Sequence, residues 1–188
     1  MKNRILDKVV IIDLEATCWE KGKQPEGVFN EIIEIGVCTL DLTSFQVENP
    51  KSIIVKPVKS TVSEYCTKLT TLTQEYVDTN GILFKDACAL LESEYGTRQR
   101  TWASWGDYDR IQFERQCRLD KLQYPMDIRH LNVKSMFSVF RGMSKEVGLG
   151  KAMDLLGNKF MGTPHRGVDD AQNIAWILGE LIKKFRGQ

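Results

Sequence analysis

Val9-Val10-Ile11-Ile12-Asp13-Leu14-Glu15 reads as a central strand buried on both faces, because its apolar run is interrupted by a single acid before it ends. An acid inside such a strand needs a reason. Strand side chains alternate, so Asp13 and Glu15 point to one side and Leu14 to the other. Two carboxylates on one side of a strand end can grip one divalent cation.

Working outward, residues 21–27 form a polar loop, and the β-branched stretches 32–40 and 52–56 complete an antiparallel meander with the first strand. Phe84, Ala87, Leu90 and Leu91 recur at helical spacing and predict an amphipathic helix to about Tyr95. Residues 101–105 read as a strand, 108–117 as a helix, 127–131 as a short strand, and 133–140 and 145–156 as helices. The pattern predicts an α/β protein with a mixed sheet. In the last helix, Ala171, Ile174, Ala175, Leu178, Leu181, Ile182 and Phe185 make an apolar stripe that carries Asp170 inward. Asp169 falls on a face with Gln172, Asn173 and Glu180, where it reads as a solvated first-turn acid.

The 188 residues, 42% of them hydrophobic, suffice for one globular domain spanning 1–188. Five cysteines, odd in number and with no CxxC pair, indicate neither a zinc site nor a disulfide framework. Reduced thiols, no signal-like start in MKNRILDK and no run of membrane-spanning length lead to the expectation of a cytoplasmic protein without membrane association. A net charge of +1 does not advertise a polyanionic partner, so any phosphate binding must be local.

Chance alone would place roughly three acid-x-acid pairs in a chain of this acidity, so a bare match carries little weight. Glu92/Glu94 reads as the solvated side of a helix, and Asp107, after a glycine at a strand-to-helix junction, as an N-cap. Asp109 alone could be another first-turn acid. Only Asp13/Glu15 resists a structural explanation. Of the two histidines, His130 ends a strand-like segment and reads as structural. His165 sits in a Pro-His-Arg-Gly loop five residues before Asp170, where its imidazole could lie over bound cations.

Taken together, Asp13-Leu14-Glu15, Tyr108-Asp109, and His165 with Asp170 fill the three motifs of the DEDDh 3′–5′ exonucleases, which the chain resembles. DLEATC, NEIIEIG, VSEYCTKLTTLTQEYVD, QCRLDKLQYP and PHRGVDDAQNIAWIL are similar to the branch that trims small interfering RNAs and histone-mRNA 3′ ends, over residues 8–182. The resemblance implies a ribonuclease H-like fold with a five-stranded mixed sheet, and hydrolysis supported by two Mg²⁺ or Mn²⁺ ions. Asp13, Glu15 and Asp170 would hold one ion, and Asp13 with Asp109 the second. His165 would act as general base, and the product would be a nucleoside 5′-monophosphate. Some eukaryotic members carry an extra nucleic-acid-binding domain, for which 188 residues leave no space.

For the terminal nucleotide, Ala16, Thr17 and Cys18 are expected to offer backbone groups to the sugar, and Trp19 a stacking face; Leu14 joins them at the site while serving the core. Lys21, Lys23, Arg110 and Arg166 are candidates for phosphate contacts. RNA 3′ ends are the expected partner. A DNA exonuclease of the repair kind shares the same five site residues, and a noncatalytic binder would survive loss of Asp13.

Overall fold

A computed structural model describes residues 5–187. Its sheet has the order β3-β2-β1-β4-β5. Strand β1 (Lys8–Ala16) is central, pairing antiparallel with β2 (Ile32–Asp41) and parallel with β4 (Trp102–Ser104). Strand β3 (Val47–Ile54) extends the antiparallel side and β5 (His130–Asn132) the parallel side. Helices α1 (Glu64–Thr70), α2 (Gln74–Asn80) and α3 (Phe84–Tyr95) lie between β3 and β4, and α4 (Tyr108–Leu119) between β4 and β5. After β5 come α5 (Val133–Phe140), α6 (Leu149–Leu155) and α7 (Gly167–Arg186). The expected five-stranded mixed sheet is present.

Alternation along β1 divides the core. Val10, Ile12 and Leu14 pack with Phe84 and Leu91 of α3 and Phe113 of α4. Val9 and Ile11 face the other way, against Phe137 of α5 and Ala171, Ile174 and Leu178 of α7. Asp13 and Glu15 continue this second row to the strand's C-terminal end, so the α7 side of the sheet carries the acids.

Several boundaries depart from the sequence reading for local reasons. The third strand starts at Val47 and ends at Ile54, and Val55 instead bridges Ile82. The fifth is a strand only from His130: the Arg129 carbonyl already accepts the Trp102 N–H at 3.2 Å, but the Arg129 N–H turns back to Asp127 Oδ1 at 2.9 Å. Helix α6 begins at Leu149 after an extended Gly148. The stretch 63–80 contains two unexpected helices, each started by a hydroxyl cap: Ser63 accepts from Cys66 N–H and Thr73 from Tyr76 N–H. On α7 the apolar stripe ends early, since Phe185 is 83% exposed. Asn173 is buried rather than solvated, its amide holding both backbone groups of Met161.

The start of α7 lies directly on the sheet. A Cβ added at Gly36 would fall 1.8 Å from the Gly167 carbonyl carbon, and one at Gly167 would fall 3.1 Å from the Asp13 carbonyl oxygen. Both partners are backbone, so nothing can rotate away. Gly36→Ala is therefore expected to cost about 3 kcal/mol or more, the upper end for overpacking. Urea unfolding midpoints measure this, and a loss below about 1 kcal/mol would mean that α7 can lift off the sheet.

Candidate active site

Three elements bring four acids to one cavity of about 360 Å³ at the C-terminal end of β1. Strand β1 contributes Asp13 and Glu15, α4 contributes Asp109 and α7 contributes Asp170, while the loop before α7 adds His165. Leu14, Ala16, Cys18 and Tyr108 complete the wall near the acids. Asp109 is buried and accepts the Leu14 backbone N–H at 3.0 Å, which ties the first turn of α4 to β1. Asp170 accepts the backbone N–H of His165 at 2.8 Å. His165 has a left-handed backbone, φ 62°, a conformation few non-glycine residues adopt, and that hydrogen bond fixes it.

The carboxylates raise one another's proton affinity. Burial, then the charges of Asp109, Asp170, Glu15 and Glu34, push Asp13 well above the usual carboxylate range. Burial and the neighbouring acids push Glu15 up to about 9. Burial lifts Asp109 to about 7 against the opposing Leu14 N–H, and Asp170 to about 7 against the His165 N–H. Ligand atoms of Glu15, His165 and Asp170 all lie within 4.8 Å of one another. Carboxylate oxygens that repel one another, with one imidazole beside them, suit hard divalent cations, which would replace the protons.

Other expected site residues lie elsewhere. Thr17 is fully buried: its N–H donates to the Glu31 carbonyl, its carbonyl accepts from Asn30, and its hydroxyl meets Ser60 at 2.9 Å. Both its backbone groups are thus already engaged within the fold. Trp19 faces a neighbouring depression shared with Tyr65 and Lys68 and does not line the acidic cavity. Of the four candidate phosphate-binding cations, Lys23 pairs with Glu20, Arg110 with Asp107 and Arg166 with Glu34; Lys21 is exposed. Asp107 occupies the N-cap position of α4, but its carboxylate bonds Arg110 and Asn132 rather than the helix N–H groups. Asp169 does not simply face solvent, for it accepts Thr163 N–H at 2.8 Å and closes the loop before α7. His130 is structural as expected: it stacks on Trp102, bonds Ser104 at 2.8 Å, and burial lowers its pKa to about 4.

Two residues were missed. Tyr108 is exposed and lines the cavity, and its signal was its place directly before Asp109. Glu34 is fully buried beside Glu15 in the β1–β2 register; the same rule that singled out Asp13, an acid in an apolar strand, would have found it in NEIIEIG.

A β3-β2-β1-β4-β5 sheet whose central strand ends in carboxylates, joined by one acid from each of two helices, defines the ribonuclease H-like class of metal-dependent nucleases. Within that class the chain belongs to the family described as Exonuclease (RNase_T), whose model matches residues 10–178. Among curated relatives, 3′-5′ exoribonuclease 1 of Rattus norvegicus is 33% identical over 94% of this chain, which spans 53% of that relative's length. Probable 3′-5′ exonuclease KapD of Bacillus subtilis (strain 168) is 27% identical over 95% of the chain and 85% of its own length. The crystal structure of the nuclease domain of 3′hExo, a DEDDh family member bound to rAMP, superposes with a TM-score of 0.81. It is 28% identical, with 97% of this chain and 94% of that one covered.

The raised acids make a pH prediction. All four have folded pKa values above their unfolded ones, so between the ordinary carboxylate range and about 9 the folded chain holds more protons. Without divalent cations, stability should fall as pH rises through that window. Mn²⁺ at a hundred times its Kd should restore about 2.7 kcal/mol. That gain corresponds to several degrees in Tm. At one fixed Mn²⁺ concentration the gain should be larger at pH 8 than at pH 5, because protons compete for the same oxygens; a melting temperature indifferent to both pH and Mn²⁺ would count against cation binding here.

Proposed function

We propose that this chain is a 3′–5′ exoribonuclease domain, formed by residues 1–188, that removes nucleoside 5′-monophosphates from RNA 3′ ends with Mg²⁺ or Mn²⁺. The observation that carries the reading is the convergence of Asp13, Glu15, Asp109 and Asp170 with His165 in one open cavity. The 3′hExo nuclease domain, similar over nearly its whole length, was crystallised with rAMP, which favours RNA over DNA.

In this reading Asp13, Glu15 and Asp170 hold one cation, and Asp13 with Asp109 the other. When bound, the cations supply charge neutralisation and polarise the scissile phosphate. His165, on its constrained loop beside Glu15 and Asp170, accepts the proton of the attacking water. Leu14, Ala16 and Cys18 bound the space for the terminal nucleotide, and Tyr108 offers it an aromatic face worth roughly 1–3 kcal/mol. Five free cysteines support action in the cytoplasm, and no helix among the described residues is long and apolar enough to cross a membrane.

The test is a time course on 5′-labelled RNA and a matched DNA, with Mg²⁺ and with EDTA. A ladder shortening from the 3′ end, abolished by EDTA and by Asp13→Ala and faster on RNA, is expected. His165→Ala should lower kcat by about 10²–10⁴ while binding persists. Internal cuts, or an EDTA-resistant ladder, would overturn the assignment.

A further inference from the structure

Behind the site lies a fully buried acid that faces no solvent and that the reaction scheme does not use. Glu34 sits across from Glu15 in the β1–β2 ladder, on the α7 side of the sheet. Every contact it makes is specific. Oε2 accepts the Arg166 Nε–H at 3.2 Å and the Gly167 backbone N–H at 3.2 Å; Oε1 accepts the Ser52 hydroxyl at 2.5 Å and lies 3.5 Å from Arg166 Nη2.

These contacts grip the residues immediately after His165. Helix α7 has Arg166 at its N-cap position with no side-chain cap of its own, so Glu34 supplies the acceptor from the sheet instead. The Gly36–Gly167 contact presses the same residues against β2. His165 is thus held on both sides: its own N–H is tied to Asp170, and the next two residues are tied to Glu34. A left-handed, solvent-exposed histidine could not be expected to keep one orientation by itself.

An acid placed here is also costly. It adds negative charge beside Glu15, Asp13 and Asp170, and contributes to raising the proton affinity of all three. A serine or asparagine could cap the helix without that penalty. What a carboxylate adds is an ion pair: it holds the Arg166 guanidinium by charge while the same oxygen accepts the helix N–H.

We propose that Glu34, through its ion pair with Arg166 and its hydrogen bond to Gly167, is the positioning residue that sets the His165 loop and the first turn of α7 against the acids of β1. The inference rests on the exonuclease reading for its kinetic consequence, and on geometry alone for its conformational one.

The experiment compares wild type with Glu34→Gln, Glu34→Ala, Arg166→Ala and the Glu34→Ala/Arg166→Ala double variant. Glu34→Ala and Arg166→Ala should each lower kcat on 5′-labelled RNA on the order of 10²-fold, the effect of roughly 1 Å of misplacement. KM should stay within a few-fold, and assays should run well below each variant's unfolding midpoint. Glu34→Gln, which keeps an acceptor for Gly167, should recover part of the loss, and the double variant should be no worse than the poorer single one. In ¹⁵N spectra without metal, the His165 and Asp170 amides should shift and lose exchange protection in both alanine variants. Folded variants with wild-type kcat, or losses that multiply in the double variant, would overturn the proposal. Arg166 is partly exposed, so its variant decides the matter should Glu34→Ala not fold. If wild type leaves RNA and DNA intact, the functional reading fails by itself, and unchanged His165 and Asp170 amides would then overturn the positioning role independently.

Discussion

Mutual repulsion among carboxylates is the constraint around which this molecule is arranged. Asp13, Glu15, Asp109 and Asp170, with Glu34 behind them, are drawn together from β1, β2, α4 and α7, and each raises the energy of charging its neighbours. No local propensity would assemble such a set. It is imposed by apolar packing on either face of β1, where Ile11 and Ile12 are completely buried beneath the helices. Hydrogen bonds then fix the last ångströms: Leu14 N–H to Asp109, His165 N–H to Asp170, and Gly167 N–H to Glu34.

Much of this was legible because the sheet's core obeys simple alternation. Once β1 was read as a buried strand, the side on which Asp13 and Glu15 emerge followed, and the apolar stripe of α7 selected Asp170 over Asp169. The residues that escaped did so through long-range partners. Glu34 lies 132 positions from Arg166, and an acid's partner at that separation leaves no pattern in either neighbourhood. Thr17 looked available because its sequence context says nothing of Glu31, Asn30 and Ser60, which together use up its polar groups. Asn173 looked solvated because helical periodicity cannot foresee a loop folding back, as residues 161–163 do, to be capped by Asn173 and Asp169.

Glycine accounts for another part of what the sequence concealed. Gly36 occurs in NEIIEIG as an ordinary strand residue with no unusual backbone angle, and nothing local marks it as essential. Its role appears only when α7 is in place, because a side chain there would hold the helix away from Asp13. The same approach that lets Asp170 reach the acids of β1 therefore depends on the absence of an atom. Such requirements are invisible in a single chain read by periodicity.

The near-zero net charge acquires a physical sense from this arrangement. Among the described residues, several cations are paired with acids: Lys23 with Glu20, Lys68 with Glu64, Arg110 with Asp107 and Arg166 with Glu34. Once its acids ionise, the cavity presents negative charge to a phosphate chain unless divalent cations are bound there. In the exonuclease reading, ions held at the site would supply local attraction for the substrate's phosphates, which a net charge of +1 does not register. An enzyme working in this way would grip the bond to be cut more than the strand that carries it. In the exonuclease reading, that would favour release and re-engagement of a shortened end, since little fixed positive charge would hold the remaining strand between cuts.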